Sequence, residues 1–138
     1  MYRQCVAVPV GAGAVTMLEA SGRAAGEARA FVGGWLRKNG LGDDAVGTAE
    51  LVASELVTNA WRHGHTRGSS ILTRARLVED GVVVSVTDRS ARLPVERELT
   101  LDDEGGRGLA ILTALGVRWE AEPLPTGGKT VHALIPHG

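Results

Sequence analysis

Cys5 is the only cysteine in a chain of 138 residues, so no disulfide can form within it, and no cysteine pair or His-Glu-x-x-His run turns His63 and His65 into a zinc site. His132 and His137 do not change that. Basic excess is lacking as well. The net charge is −1, which leaves no electrostatic footprint for nucleic acid. Lys38 and Lys129 are the only lysines among 15 basic residues, a bias of composition rather than a binding signal. No apolar run reaches the roughly 18 residues needed to cross a bilayer. The chain does not open with a charged segment, an apolar core and a cleavage site. A cytoplasmic protein, with no membrane and no direct nucleic-acid partner, is the expectation. Gly-x-Ser-x-Gly elbows, long heptads, internal repeats and low-complexity tracts are also missing.

What is present fits one domain over residues 1–138, with residues 1–14 assigned as a leader; a chain of this length buries about two thirds of its unfolded surface. The 19 glycines are about twice the usual ~7 % share. The most informative stretch is Leu-Val-Ala-Ser-Glu-Leu-Val-Thr-Asn-Ala-Trp-Arg-His-Gly-His, residues 51–65. Val46, Ala49, Ala53, Leu56 and Ala60 recur three or four apart and form a packing stripe on a helix over residues 45–62, with Asp43 and Asp44 as candidate N-caps. Glu55, Asn59 and His63, each four apart, form a second, polar stripe. Asparagine competes for backbone hydrogen bonds inside a helix, so Asn59 among apolar neighbours needs a partner for its amide. A carboxylate one turn before an amide oxygen suits Mg²⁺, which takes oxygen ligands and shares its shell with nucleotide phosphates.

Read in order, residues 3–8 are a candidate strand broken at Pro9, and residues 15–19 a second. Ser21 is positioned to cap a helix whose face holds Ala24, Ala28, Phe31, Trp35 and Leu36, closed by Asn39-Gly40. Residues 69–78 alternate as a strand with one wet face, Asp80-Gly81 makes a hairpin turn, and residues 82–88 return. Val82, Val84, Val86 and Asp88 share a face, so an acid stands on the apolar side. Asp88 either bonds a turn N–H or meets a ligand donor such as the exocyclic amine of adenine. Residues 89–104, polar and without period, are a candidate lid. Gly105, Gly106, Arg107 and Gly108 then open a short helix from Leu109, either as a hinge or as a phosphate cradle of backbone N–H groups. Residues 117–122 and 129–135 form a last hairpin. Gly128-Lys129-Thr130 mimics the end of a P-loop, but a strand follows it, so that reading is rejected.

Glu55-Leu-Val-Thr-Asn59-Ala-Trp-Arg-His63-Gly64 on a helix, Asp88 after a strand and Gly106-Arg-Gly108-Leu109 after a lid occur in an order that resembles the histidine-kinase-like ATPases with the Bergerat nucleotide-binding fold. The likeness is nearest to their anti-sigma-factor serine kinases and runs over residues 15–135. The resemblance implies an α+β two-layer sandwich: a mixed, mainly antiparallel sheet with three helices on one face. It further implies ATP and Mg²⁺ as cofactors, Asn59 on the metal, Glu55 as general base, Asp88 on the adenine amine, and Gly105 to Leu109 along the phosphates. Arg62 and His63 would lie near those phosphates, and Thr130 would support the adenine pocket. The implied partners are an anti-sigma antagonist protein, to be phosphorylated, and a sigma factor, to be sequestered; a homodimer is also expected. Asp88-Arg-Ser-Ala-Arg departs from the family's Asp-x-Gly-x-Gly, which removes a close backbone approach on that side. A sensor histidine kinase is not expected, because no helical hairpin with a phosphoacceptor histidine precedes the domain. The alternatives are a non-catalytic module gated by ATP or ADP and a partner domain with a decayed site.

Overall fold

The computed structural model describes residue 11 and residues 13–64, 69–89, 113–125 and 127–136, without the side chains of 63 and 64. The candidate strand at 3–8, nearly all of the 89–104 lid, and Gly105, Gly106, Arg107, Gly108 and Leu109 fall outside these residues. Strand β1, Ala14–Glu19, leads into helix α1, Ala24–Lys38, and helix α2, Asp43–Asn59. Four strands follow: β2, Ser70–Val78; β3, Gly81–Asp88; β4, Arg118–Pro123; and β5, Lys129–Pro136.

The helices form where apolar side chains recur every three or four residues. Ala24, Ala28, Val32 and Leu36 of α1 are fully buried, as are Val46, Ala49, Val52, Ala53 and Val57 of α2, and Leu56 nearly so. Phe31 and Trp35 are only partly buried against this core. The two helices pack on one another, joined at their margin by Arg29 Nη1 donating to Ser54 Oγ at 2.9 Å. Their caps differ from those the sequence suggests. Arg23, not Ser21, is the N-cap of α1, and Ser21 Oγ accepts from the Arg23 N–H at 3.2 Å. Gly42 caps α2 in extended conformation, while Asp43 and Asp44 sit in the first turn, where they complement the helix dipole. Asn39 does close α1, its Nδ2 donating to the Trp35 carbonyl at 2.9 Å.

The sheet runs β1-β2-β3-β5-β4. Every pairing among the described residues is antiparallel, so the mixed sheet expected from the sequence is not found. Hairpin connections account for two of the four pairings: β2 turns into β3, and β4 into β5, through loops too short for a parallel crossover. The β2/β3 loop is Glu79-Asp80, and Gly81 already pairs with Val78. Gly81 has φ +153, and a Cβ there would collide with the Ile135 carbonyl. Among the described residues two helices, α1 and α2, lie against the sheet; of the third, expected after Gly108, Thr113 and Ala114 are described, and both are helical.

Period-two alternation sorts the strands into two faces. Ile71, Ala75, Val82, Val84, Val86, Val131, Ala133 and Ile135 join α1 and α2 in the main core. Val78, Val83 and Leu134 make a separate small cluster on the opposite face. Asp88 and Lys129 are aligned in register at one end of the helix-facing side, continuing the rows of Val82 to Val86 and of Val131 to Ile135.

Candidate functional site

Helix α2 delivers its polar pair at its C-terminal end. Asn59 is the last α-helical residue, and Ala60–Gly64 continues as a π-helical turn. Wider i→i+5 turns of this kind recur at functional sites. Asn59 is buried at 9 % exposure, yet among the described residues neither its Oδ1 nor its Nδ2 has a hydrogen-bond partner. Glu55 Oε1 is likewise buried and unpartnered. Unsatisfied groups of this kind each cost about 1–3 kcal/mol, which a well-packed helix would not carry twice without a ligand to meet them. Burial raises the Glu55 carboxyl above its ordinary 4.5, and the exposed Arg62 guanidinium partly offsets this. A half-desolvated carboxylate with a raised pKa is a stronger proton acceptor than a solvated one.

Asp88 has a protein partner that neither reading of the sequence names. It is 3 % exposed, and Lys129 Nζ donates to its Oδ1 at 3.1 Å and lies 3.0 Å from its Oδ2 in an ion pair. Lys129 is itself buried at 5 %. Sequence reasoning passed over this lysine because it appeared only as the end of a false P-loop. Its signal was the strand register, which sets it opposite Asp88 on the same face. Gly128 permits the approach: it has φ +91, and a Cβ would stand 2.5 Å from the Asp88 carbonyl oxygen. Thr130 points to the other face, where its hydroxyl bonds Thr87 Oγ1 at 2.7 Å, so Lys129 and not Thr130 is the β5 side chain beside Asp88. Thr73 Oγ1, on the helix-facing side, is fully buried and without a partner, a second polar group that alternation alone marks only as dry.

On the far face, Ser85 Oγ lies 2.8 Å from His132 Nδ1, and His132 Nε2 lies 3.0 Å from Glu122 Oε1. Burial pushes the imidazole below its ordinary 6.5, against the opposing pull of Glu122. Among the described residues no cluster of three or more His, Cys, Asp or Glu could hold a metal by itself. A cavity of about 510 Å³ opens between residues 42–48 and Leu115, Ile135 and Pro136, at the opposite end of α2 from Asn59. Sixteen helical steps, roughly 24 Å, separate it from the polar pair.

Two layers, an antiparallel sheet and a helix that presents an unpaired Glu and Asn at its end define the class. The chain belongs to the histidine kinase-like ATPase domain family, whose model matches residues 18–133. Among solved structures it is similar to the RsbU and RsbW domains of Rv1364c from Mycobacterium tuberculosis, at 25% identity and TM-score 0.61, over 91% of this chain and 33% of that one. It also resembles the histidine kinase domain of a blue-light activated histidine kinase from Erythrobacter litoralis, at 23% identity and TM-score 0.53, over 67% of this chain and 44% of that one. This chain therefore corresponds to about a third of the first protein and under half of the second. No curated protein matches the sequence. Among the described residues no helix is long and apolar enough to cross a membrane.

Proposed function

We propose that the chain is a cytoplasmic, ATP-binding protein serine kinase that phosphorylates a small anti-sigma antagonist protein and sequesters a sigma factor, working as a homodimer. The observation that carries the proposal is the buried, unsatisfied Glu55 and Asn59 pair at the π turn. Its oxygens fit a hard cation and its bound water better than they fit any neighbour in the protein. In this reading Asn59 Oδ1 holds Mg²⁺, which when bound neutralises triphosphate charge. Glu55 accepts the proton of the incoming serine hydroxyl, and Asp88 takes the adenine amine. Arg62 and His63, with Gly105, Gly106, Arg107, Gly108 and Leu109, would line the phosphates; the glycine run and Leu109 lie outside the described residues. The family membership and the likeness to a structure containing an RsbW domain support the same assignment.

A base that works in the transition state contributes little to holding ATP, whereas a metal ligand affects binding and turnover together. Calorimetry with ATP and Mg²⁺, and phosphotransfer to proteins captured on the purified chain, separate the two. Glu55→Gln is expected to keep ATP affinity within about threefold while transfer falls at least ~10²-fold. Asn59→Ala should weaken both. Absence of binding heat in the wild type removes the ATPase reading altogether. Binding without transfer to any captured partner makes the chain a nucleotide-gated binding module.

A further inference from the structure

Lys129 is a buried cation in the row of β5 side chains that faces the helices, its Nζ 3.1 Å and 3.0 Å from the two carboxylate oxygens of Asp88 opposite it. An ammonium carries three N–H donors, and among the described residues Asp88 is the one partner of Lys129 Nζ. A carboxylate alone can recognise an exocyclic amine; a carboxylate with an ammonium 3.0 Å away presents an acceptor and a donor side by side. The Watson–Crick edge of adenine offers the matching order, the N6 amine as donor and ring N1 as acceptor, both bonded to C6. Extending the nucleotide-site reading above, on which the inference rests, we propose that Lys129 is a second base-reading residue, donating to adenine N1 while Asp88 accepts from the N6 amine. The ion pair holds both groups at the floor of the site before any ligand arrives. Gly128, whose missing side chain lets β5 come against the Asp88 carbonyl, keeps the lysine in register with its partner.

1-Deaza-ADP tests this directly, because it replaces N1 by C–H and keeps the amine. Calorimetry on the full chain with Mg²⁺ should find ADP bound at least about tenfold more tightly than 1-deaza-ADP, the range of one hydrogen bond to a charged group. In Lys129→Met the two affinities should converge to within about twofold. A lysine that only positioned Asp88 would weaken both ligands alike and leave their ratio unchanged. Because Lys129→Met leaves a buried carboxylate unpaired and costs stability, the wild-type chain supplies a second readout. Only Lys38 and Lys129 are present, so ¹⁵N-lysine labelling yields two ammonium signals, with the exposed Lys38 as internal control. The Lys129 signal should shift with ADP and stay in place with 1-deaza-ADP. Equal wild-type affinity for the two ligands, a ratio that survives in Lys129→Met, or a Lys129 signal that moves equally with both, overturns this role and leaves the nucleotide site standing. If ADP itself does not bind, both are overturned.

Discussion

Glu55 and His132 show how burial moves proton affinity in opposite directions for an acid and a base. Burial penalises the Glu55 carboxylate more than Arg62 relieves it, so the folded protein holds that proton more tightly than the unfolded chain does. The side chain's contribution to stability is therefore full below its ordinary 4.5 and is lost as pH rises through the folded value. Glu55→Gln should accordingly raise the thermal midpoint at pH 8, with the gain shrinking to nothing near pH 4. Calorimetric scans across that range that show no gain at pH 8 would mean the carboxylate is not penalised. For His132 the sign reverses. Its folded pKa is depressed by burial, so the stability it contributes is present above its ordinary 6.5 and is lost as pH falls through the folded value. Urea unfolding at pH 8 and pH 5 should show a larger acid loss for the wild type than for His132→Asn, and equal losses would place the imidazole's titration in both states at the same pH.

At the scale of elements, the site depends on how α2 ends and how β4 returns into β5. The π turn at Ala60–Gly64 leaves Asn59 at the junction of two helical geometries, where its amide is not taken up by the backbone. The β4/β5 hairpin depends on Gly128, whose φ of +91 an L side chain adopts only at a cost of roughly 1–2 kcal/mol. A Cβ 2.5 Å from the Asp88 carbonyl adds a steric term to that. Gly128→Ala should therefore lose more than about 1 kcal/mol in denaturant unfolding and should also weaken nucleotide binding, since Asp88 and Lys129 are held by the same register. A stable Gly128→Ala protein with unchanged affinity would detach the hairpin from the site.

Across the whole molecule, the sheet separates two environments. The helix-facing side carries the large core together with Asp88, Lys129 and Thr73, while the far side carries a three-residue apolar cluster and the Ser85, His132 and Glu122 network. A ligand that meets unsatisfied groups on the helix side binds only the folded chain, so it stabilises by mass action. Nucleotide with Mg²⁺ at a hundred times its Kd should add about 2.7 kcal/mol to the unfolding free energy. Asn59→Ala at the same nucleotide concentration should gain much less. An identical gain in both proteins, followed by urea titration, would place the ligand away from the end of α2.

The α+β class, both described helices, all five described strands to within a residue at each end and most of the core residues were legible in the amino-acid sequence, because period and punctuation are local: Ala24, Ala28 and Leu36 recur as a helix face does, and Val82, Val84 and Val86 as a strand face does. The Glu55 and Asn59 pair was legible for the same reason, being one turn apart on one helix. Tertiary structure decided the rest. Whether the sheet is mixed depends on which strands meet, and the order β1-β2-β3-β5-β4 is set by long-range pairing that no local period encodes. The π turn at Ala60–Gly64 is a change of helical pitch without a residue signature. Lys129 looked like the tail of a phosphate loop until the register of β3 against β5 set it beside Asp88 and turned Thr130 to the other face. Which of two neighbouring residues faces a site is a matter of parity, and parity is settled only when the strand finds its partner.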